Sequence, residues 1–245
     1  CMNAYALNDY VQDMENLLAD NPDIPQIIEE GSKYVSKLMT NTTLLNDLLT
    51  RLVLDEQFLK AQYQAIDPND IVIYRSPNRR FSLRAFIWEP QVYYPIHDHG
   101  SWGIIGTLVA RLGERKYARL DDGKREGYCE LRETASGVFG PGETTFVLPL
   151  NRGLHAMDNP TDGIAVSINV YGKTVRQGFI QFFDPVKKTV TRVYPPRTLK
   201  EVLAVKTLAA IDPSQAEGVL REALSTPRPP QLRAEYEETL RRLRG

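Results

Sequence analysis

The 245 residues carry 30 basic and 31 acidic side chains, a net charge of -1, with 42% hydrophobic and 25% charged residues. That is enough apolar content for a sizeable core, and a balanced, interspersed charge lacks the electrostatic footprint of a protein that binds nucleic acid or an anionic membrane. Only Cys1 and Cys129 are present, too few for a disulfide framework, and there is no secretory signal or apolar run of membrane-spanning length, so a cytoplasmic protein acting on a small molecule is expected. Cys1 precedes Met2 and reads as an addition to the native start.

From Tyr5 to about Tyr63 the apolar residues recur at helical spacing: Leu7, Val11, Met14 and Leu18, then Ile27, Gly31, Val35 and Leu38, then Leu44, Leu45, Leu48, Leu49 and Leu52. Three helices are predicted, the second capped by Asp23 with Pro25 in its first turn. From Ile71 to about Tyr194 the pattern changes to short β-rich runs, "IVIY", "FSLRAFIW", "WGIIGTLVARL", "ETTFVLPL", "GIAVSINVY" and "GFIQFF", broken by Gly, Pro, Asn and Asp. Many closely spaced strands predict a sandwich or barrel. The helical period returns after "YPPR" in "TLKEVLAVKTLAAI", Asp212 to Gln215 opens another helix, and Leu232, Tyr236, Leu240 and Leu243 mark a last one. The chain therefore divides into a helical extension over residues 1–66, a barrel over 67–196 and a second helical extension over 197–245.

Two of the three histidines stand in "YYPIHDHGSWGIIGTL". Residues i and i+2 of a strand share a face, so His97 and His99 can present two imidazoles side by side while Asp98 faces away. His155, in "PLNRGLHAMDN", opens another β-rich stretch and can complete a facial set of three. An isolated H-x-H is a modest signal, because histidine is also an ordinary polar residue; all three histidines in two turn-bounded β segments is a stronger one. Zinc accepts the same three ligands as other divalent ions do, so ligand count leaves the metal open. In "GIAVSINVYG", Ile164, Val166, Ile168 and Val170 form an aliphatic face, while Ala165, Ser167, Asn169 and Tyr171 form one that turns polar and is expected to line the cavity.

These residues resemble the cupins, and within them the thiol dioxygenases typified by cysteine dioxygenase and 3-mercaptopropionate dioxygenase. The resemblance spans about Ile71 to Pro185 and rests on "FSLRAFIW", on P-x-H-D-H-x-x-W-G-x-I-G from Pro95 to Gly106, on G-L-H-x-M-D-N from Gly153 to Asn159, on "SINVYG" and on "FFDP". It implies a mainly β fold, the cupin double-stranded β-helix or jelly-roll barrel, with helical extensions at both ends. It also implies one Fe(2+) per chain on His97, His99 and His155, and oxidation of a small, carboxylated thiol by O2 to its sulfinic acid. Most cupins add a glutamate ligand shortly after H-x-H, where this chain has Gly103 and Ile104, and an all-histidine set is what the thiol dioxygenases use. The family's Ser-x-His-x-Tyr relay reads Ser167, Asn169 and Tyr171 here, which makes those three the catalytic candidates. Gly103 occupies the neighbourhood of the cysteine that animal cysteine dioxygenases crosslink to the relay tyrosine, so no crosslink is expected.

For a substrate carboxylate the candidates are Arg75 and Arg176, both offset from the family's positions; Asp70 falls where the cysteine-specific enzymes place their arginine. Trp102 is read equally as a wall of the substrate cavity and as a core residue. Cys129 is expected in a strand without a chemical role. Two other readings stay open: a three-histidine cupin dioxygenase acting on a non-thiol substrate, and a non-catalytic metal- or ligand-binding cupin. The sequence leaves the oligomeric state open.

Overall fold

The N-terminal helical pattern folds as four helices rather than three: α1 (Leu7–Ala19), α2 (Ile24–Leu38), α3 (Leu44–Leu54) and α4 (Glu56–Ala61). The extra break comes from Asp55, which leaves α3 in an extended conformation and accepts the Phe58 N–H at 2.9 Å, capping α4. Asp23 caps α2 in the same way, through Gln26 N–H at 2.9 Å. The structure is a computed structural model that describes residues 5–63, 65–176 and 178–244; Cys1 lies outside them.

Eleven strands follow among the described residues: β1 (Asp70–Arg75), β2 (Phe81–Trp88), β3 (Tyr93–His97), β4 (Gly103–Val109), β5 (Leu112–Arg119), β6 (Leu131–Phe139), β7 (Thr144–Val147), β8 (Leu154–Asp158), β9 (Ala165–Gly172), β10 (Ile180–Asp184) and β11 (Thr189–Val193). They form two antiparallel sheets, in the orders β1-β2-β9-β4-β7 and β11-β10-β3-β8-β5-β6. The pairings β5–β6, β4–β7, β3–β8 and β2–β9 describe one long hairpin with its tip at β5–β6, wound so that alternate pairs fall in opposite sheets. This is the double-stranded β-helix, or jelly roll, that the sequence motifs implied. The run "WGIIGTLVARL" is not one strand. At Ala110, φ is +59°, and the chain crosses there from β4 in the first sheet to β5 in the second.

Both faces of the first sheet are buried. Leu83, Ala85, Ile104, Ile168 and Val170 point outward and pack under Tyr10, Met14, Val35 and Leu38 of α1 and α2. Trp88, Ile105, Leu112, Val147 and Met157 fill the space between the sheets. Each such buried side chain contributes roughly 1.5–3 kcal/mol, which holds the sheets at a fixed spacing and makes a rigid frame for polar residues inside. Cys129 is not in a strand. It lies buried in the β5–β6 connection against Ile96, Leu154 and Phe183, and its thiol donates to the Thr189 carbonyl at 3.3 Å.

The C-terminal helices α5 (Pro196–Ile211), α6 (Pro213–Leu224) and α7 (Pro230–Arg244) form their own small core of Val202, Leu220, Leu232 and Tyr236 against Tyr194. Asp212 caps α6 through Gln215 N–H at 3.0 Å. Glu235 of α7 ties this unit to the barrel by accepting from the Tyr194 hydroxyl at 2.5 Å and from the Arg192 guanidinium. No helix among the described residues is long and apolar enough to cross a membrane.

Candidate metal centre

His97 ends β3, and the β3–β8 ladder shifts register between Tyr94 and His97, around Pro95, which has no N–H to give a ladder. The irregularity aims His97 inward, directly opposite His155 on β8. The Pro95 carbonyl accepts from His97 Nδ1 at 2.8 Å. His99 lies beyond the end of β3, so the two imidazoles do not share a strand face as the spacing suggested. Instead the loop carries His99 back, its carbonyl accepting from Leu150 N–H at 2.8 Å and its ring stacked on Tyr171, centroids 5.0 Å apart and planes at 20°. The result is still convergence: the Nε2 atoms of His99 and His155 are 2.9 Å apart, and those of His155 and His97 are 3.2 Å apart.

The donor set fits one metal ion. His97 Nδ1–H is held by Pro95, and His155 Nδ1–H donates to Glu114 Oε1 at 2.7 Å, so in the ligating form of the rings both Nε2 atoms face each other with lone pairs. Two lone pairs at 3.2 Å repel unless a cation lies between them. Imidazole–metal bonds of about 2.0–2.1 Å at right angles put the nitrogens about 3.0 Å apart, which matches the observed spacing. Burial, and then the neighbouring imidazoles, hold His97 and His99 well below the ordinary histidine range, in the neutral form that ligates. His97, His99 and His155 are the one cluster of metal-ligating side chains found among the described residues.

Glu114 is a site residue that no motif in the sequence disclosed. On β5, almost fully buried, it accepts from His155 Nδ1 and, through Oε2, from the Thr145 hydroxyl at 2.6 Å. Burial raises its pKa, but the contacts with His155, Thr145 and Lys116 outweigh this and hold the carboxyl below the usual range. The available signal was an acid at an inward-facing position of "LGERKY", sharing a face with Leu112. Because Glu114 fixes the tautomer and aim of a ligand, Glu114→Gln is expected to weaken metal binding about 10–100-fold, measured by competition with a chelator. An unchanged affinity would show that the contact orients nothing.

Asp98, between the two ligands, has no exposed surface. It is gripped bidentately by Arg176, with Nη1–Oδ2 at 2.6 Å and Nη2–Oδ1 at 2.5 Å, and it accepts Gln181 N–H at 2.8 Å. Arg176 is therefore engaged by the protein rather than free to clamp a substrate, a correction to the sequence expectation. Arg75 stands exposed at the end of β1, opposite Ser82. Trp102 is a core residue: it joins the cluster beneath the N-terminal helices, and its indole occupies the space that a side chain at Gly172 would fill. The inward tryptophan is Trp88, whose Nε1–H donates to Ser167 Oγ at 3.1 Å.

The polar face of β9 points inward as its alternation indicated. Asn169 Nδ2 donates to the Tyr171 hydroxyl at 3.0 Å, while Ser167 is held separately by Trp88. Gly103 lies directly across from Tyr171, and a Cβ there would sit 2.6 Å from the ring, so glycine at that position is what admits the tyrosine beside His99. Next to these residues is a polar group unforeseen from sequence. The Tyr94 hydroxyl donates to Asp67 Oδ1 at 2.6 Å, and its ring meets the His97 ring edge-on at 4.7 Å. Arg84 pairs with Asp70, and its guanidinium lies 6.0 Å from the Tyr171 ring centroid. Burial raises the Asp70 carboxyl above its ordinary range despite the opposing charge of Arg84.

A cavity of about 470 Å³ lies elsewhere, between the β5–β6 connection and α7. Its walls carry Arg192, Glu235 and Arg242, whose charges are already paired within the protein, so volume is not the guide to chemistry here.

No protein-family model matches the chain. Solved structures with partial similarity include a DMSP lyase from Ruegeria pomeroyi, 14% identical, covering 48% of this chain and 45% of that one at a TM-score of 0.31. This chain thus spans under half of the lyase's length. A Cupin 2 conserved barrel domain protein from Salinispora arenicola is 20% identical over 46% of this chain and 82% of its own, TM-score 0.31. An uncharacterized conserved protein with a double-stranded beta-helix domain from Klebsiella pneumoniae is 9% identical over 47% and 80%, TM-score 0.34.

Proposed function

We propose that this barrel is a mononuclear non-haem iron enzyme that oxidises a small thiol to its sulfinic acid with O2. The observation that carries the reading is a set of three converging imidazoles, without a carboxylate among them, beside a tyrosine whose hydroxyl is held by a neutral amide. His97, His99 and His155 would hold a ferrous ion without offsetting its charge, and the ion would supply a binding place for thiolate and O2 and lower the thiol pKa. The reaction balances without a further reductant. Sulfur loses four electrons, O2 gains four, both oxygen atoms end on sulfur, and the thiol proton leaves with the sulfinate product.

The chain's own residues prepare this chemistry. Burial raises the Tyr171 pKa far above neutrality, so the hydroxyl keeps its proton. Because Asn169 Nδ2 donates to that oxygen, the Tyr171 O–H is left to donate to a further acceptor. All three histidines are committed to the metal, so no free imidazole serves as a base. Tyr171 then works as a fixed donor.

The test is O2 uptake and sulfinate formation by iron-loaded protein over a panel of thiols, expected in a one-to-one ratio. Absence of sulfinate above the metal-free level for every thiol rejects the reading. Tyr171→Phe is expected to lower kcat/KM on the order of 10²–10³-fold, as loss of an oriented donor does, and Asn169→Ala by less. The acid limb of the kcat/KM profile should follow the pKa of the thiol used. A limb that moves when Asn169 is replaced, and ignores the thiol, would show that the amide position controls a proton after all.

A further inference from the structure

We infer that the free edge of β6 pairs with β6 of a second copy of this chain, antiparallel about a twofold axis at Ala135. A strand at the edge of a sheet presents a row of N–H and C=O groups that attracts another strand, so folded proteins cover such edges. The two sheets have four edges, β1, β7, β11 and β6, and the chain itself closes three of them. The Gln62 amide lies along β1, accepting from Val72 N–H at 2.8 Å and donating to the Val72 carbonyl at 3.4 Å. The β5–β6 connection closes β11: Cys129 N–H donates to the Lys188 carbonyl at 3.1 Å, and Val190 N–H donates to the Gly127 carbonyl at 3.0 Å. β7 is only four residues long, and its Phe146 carbonyl accepts from Lys116 Nζ at 2.9 Å.

The edge of β6 is open. The strand runs nine residues, pairs with β5 on one side alone, and exposes Arg132 to Ser136 on both faces. Among the described residues, no hydrogen bond reaches its outer edge; the Thr134 hydroxyl donates back to Lys116 of β5, at 3.2 Å. The extra residue at Thr134 bends the strand, but the usual chemical guards of an edge, lysine and proline, are absent from it. The sequence of β6 also fits its own copy. Opposite residues of an antiparallel pair share a face, so a twofold axis through the pair sets one residue against itself. An axis at Arg132 or Glu133 opposes like charges, which destabilises a ladder. An axis at Ala135 aligns all nine residues: Leu131 with Phe139, Arg132 with Val138, Glu133 with Gly137 and Thr134 with Ser136. No like charges meet, hydroxyl faces hydroxyl, and Val138, 58% exposed, lies under the aliphatic stem of the copy's Arg132. One isologous contact then closes the edge in both copies, which favours a second copy over a foreign strand.

The test is the molecular mass of the full chain by light scattering over a dilution series. The wild type is expected at twice the 27.8 kDa of one chain. Ala135→Glu and Ala135→Lys each set like charges across the axis at an exposed position, so each should run as a folded monomer, and an equimolar mixture of the two should return to the dimer mass. Ala135→Cys should cross-link to its copy on mild oxidation, because opposite Cα atoms about 4.5–5.5 Å apart lie within the span of a disulfide, whereas Val138→Cys, which faces Arg132, should not. A monomeric wild type overturns the inference. So does a dimer that survives both charge variants, a mixture of them that stays monomeric, or an Ala135→Cys that cross-links no more than the wild type. The last outcome decides even where a charge variant fails to fold.

Discussion

Replacing His155 with Ala is expected to abolish stoichiometric metal binding, with an affinity loss well beyond the roughly 10–100-fold that follows removal of an outer hydrogen-bond partner. His155 is the geometric centre of the set: its Nε2 is within 3.2 Å of the Nε2 of both other histidines, and its backbone sits directly across the ladder from His97. The replacement also strands Glu114, at a cost of about 1–3 kcal/mol for its unsatisfied buried oxygen, so the apo barrel should remain folded at reduced stability. The decisive readout is linkage. Metal at about 100 times its Kd should stabilise the wild type by about 2.7 kcal/mol in thermal or urea unfolding and leave His155→Ala unmoved. A full metal complement in His155→Ala after dialysis against a chelator would reject the three-histidine site.

Arg176→Met is expected to destabilise the protein by about 3–5 kcal/mol, because it leaves the Asp98 carboxylate, which has no exposed surface, without its counter-charge. The loss should not be confined to stability. Asp98 sits between two metal ligands, so the loop that returns His99 to the site is anchored by this pair, and metal affinity should fall as well. Urea unfolding and metal competition measure the two effects separately. The paired replacement Asp98→Asn with Arg176→Gln should recover most of the stability, since no buried charge is then left uncompensated. If Arg176→Met instead melts like the wild type and raises KM only for carboxylated thiols, Arg176 is a substrate group and the ion pair is incidental.

The sequence alone disclosed the parts of this protein that depend on local order. Alternation in "GIAVSINVYG" separated the helix-covered face of β9 from its inward face, so Asn169 and Tyr171 were legible as inward-facing residues while Ile168 and Val170 were legible as core. The helical spacing of the termini, the caps at Asp23 and Asp212, and the concentration of all three histidines in two short motifs were visible for the same reason. Periodicity reports which face of an element is buried, and a cap reports where a helix begins. Neither reports what lies across from a residue. The break at Ala110 was hidden because β4 is buried on both faces and the buried Leu112 opens β5, so that the apolar residues on either side of the turn read as one run.

Only the wound hairpin decides the partners. His97 and His155 are 58 residues apart in the chain and become direct neighbours through the β3–β8 register, and Glu114 reaches His155 because β5 is next to β8. Arg176 looked like a free cation until the fold set it against Asp98, 78 residues away, and Asp70 acquires its unmatched oxygen only where β1 lies beside β2 on the inward face. The physical reason is that charge and hydrogen-bond capacity belong to a residue, whereas whether they are satisfied belongs to its neighbours, and strand register sets those neighbours across the sheet.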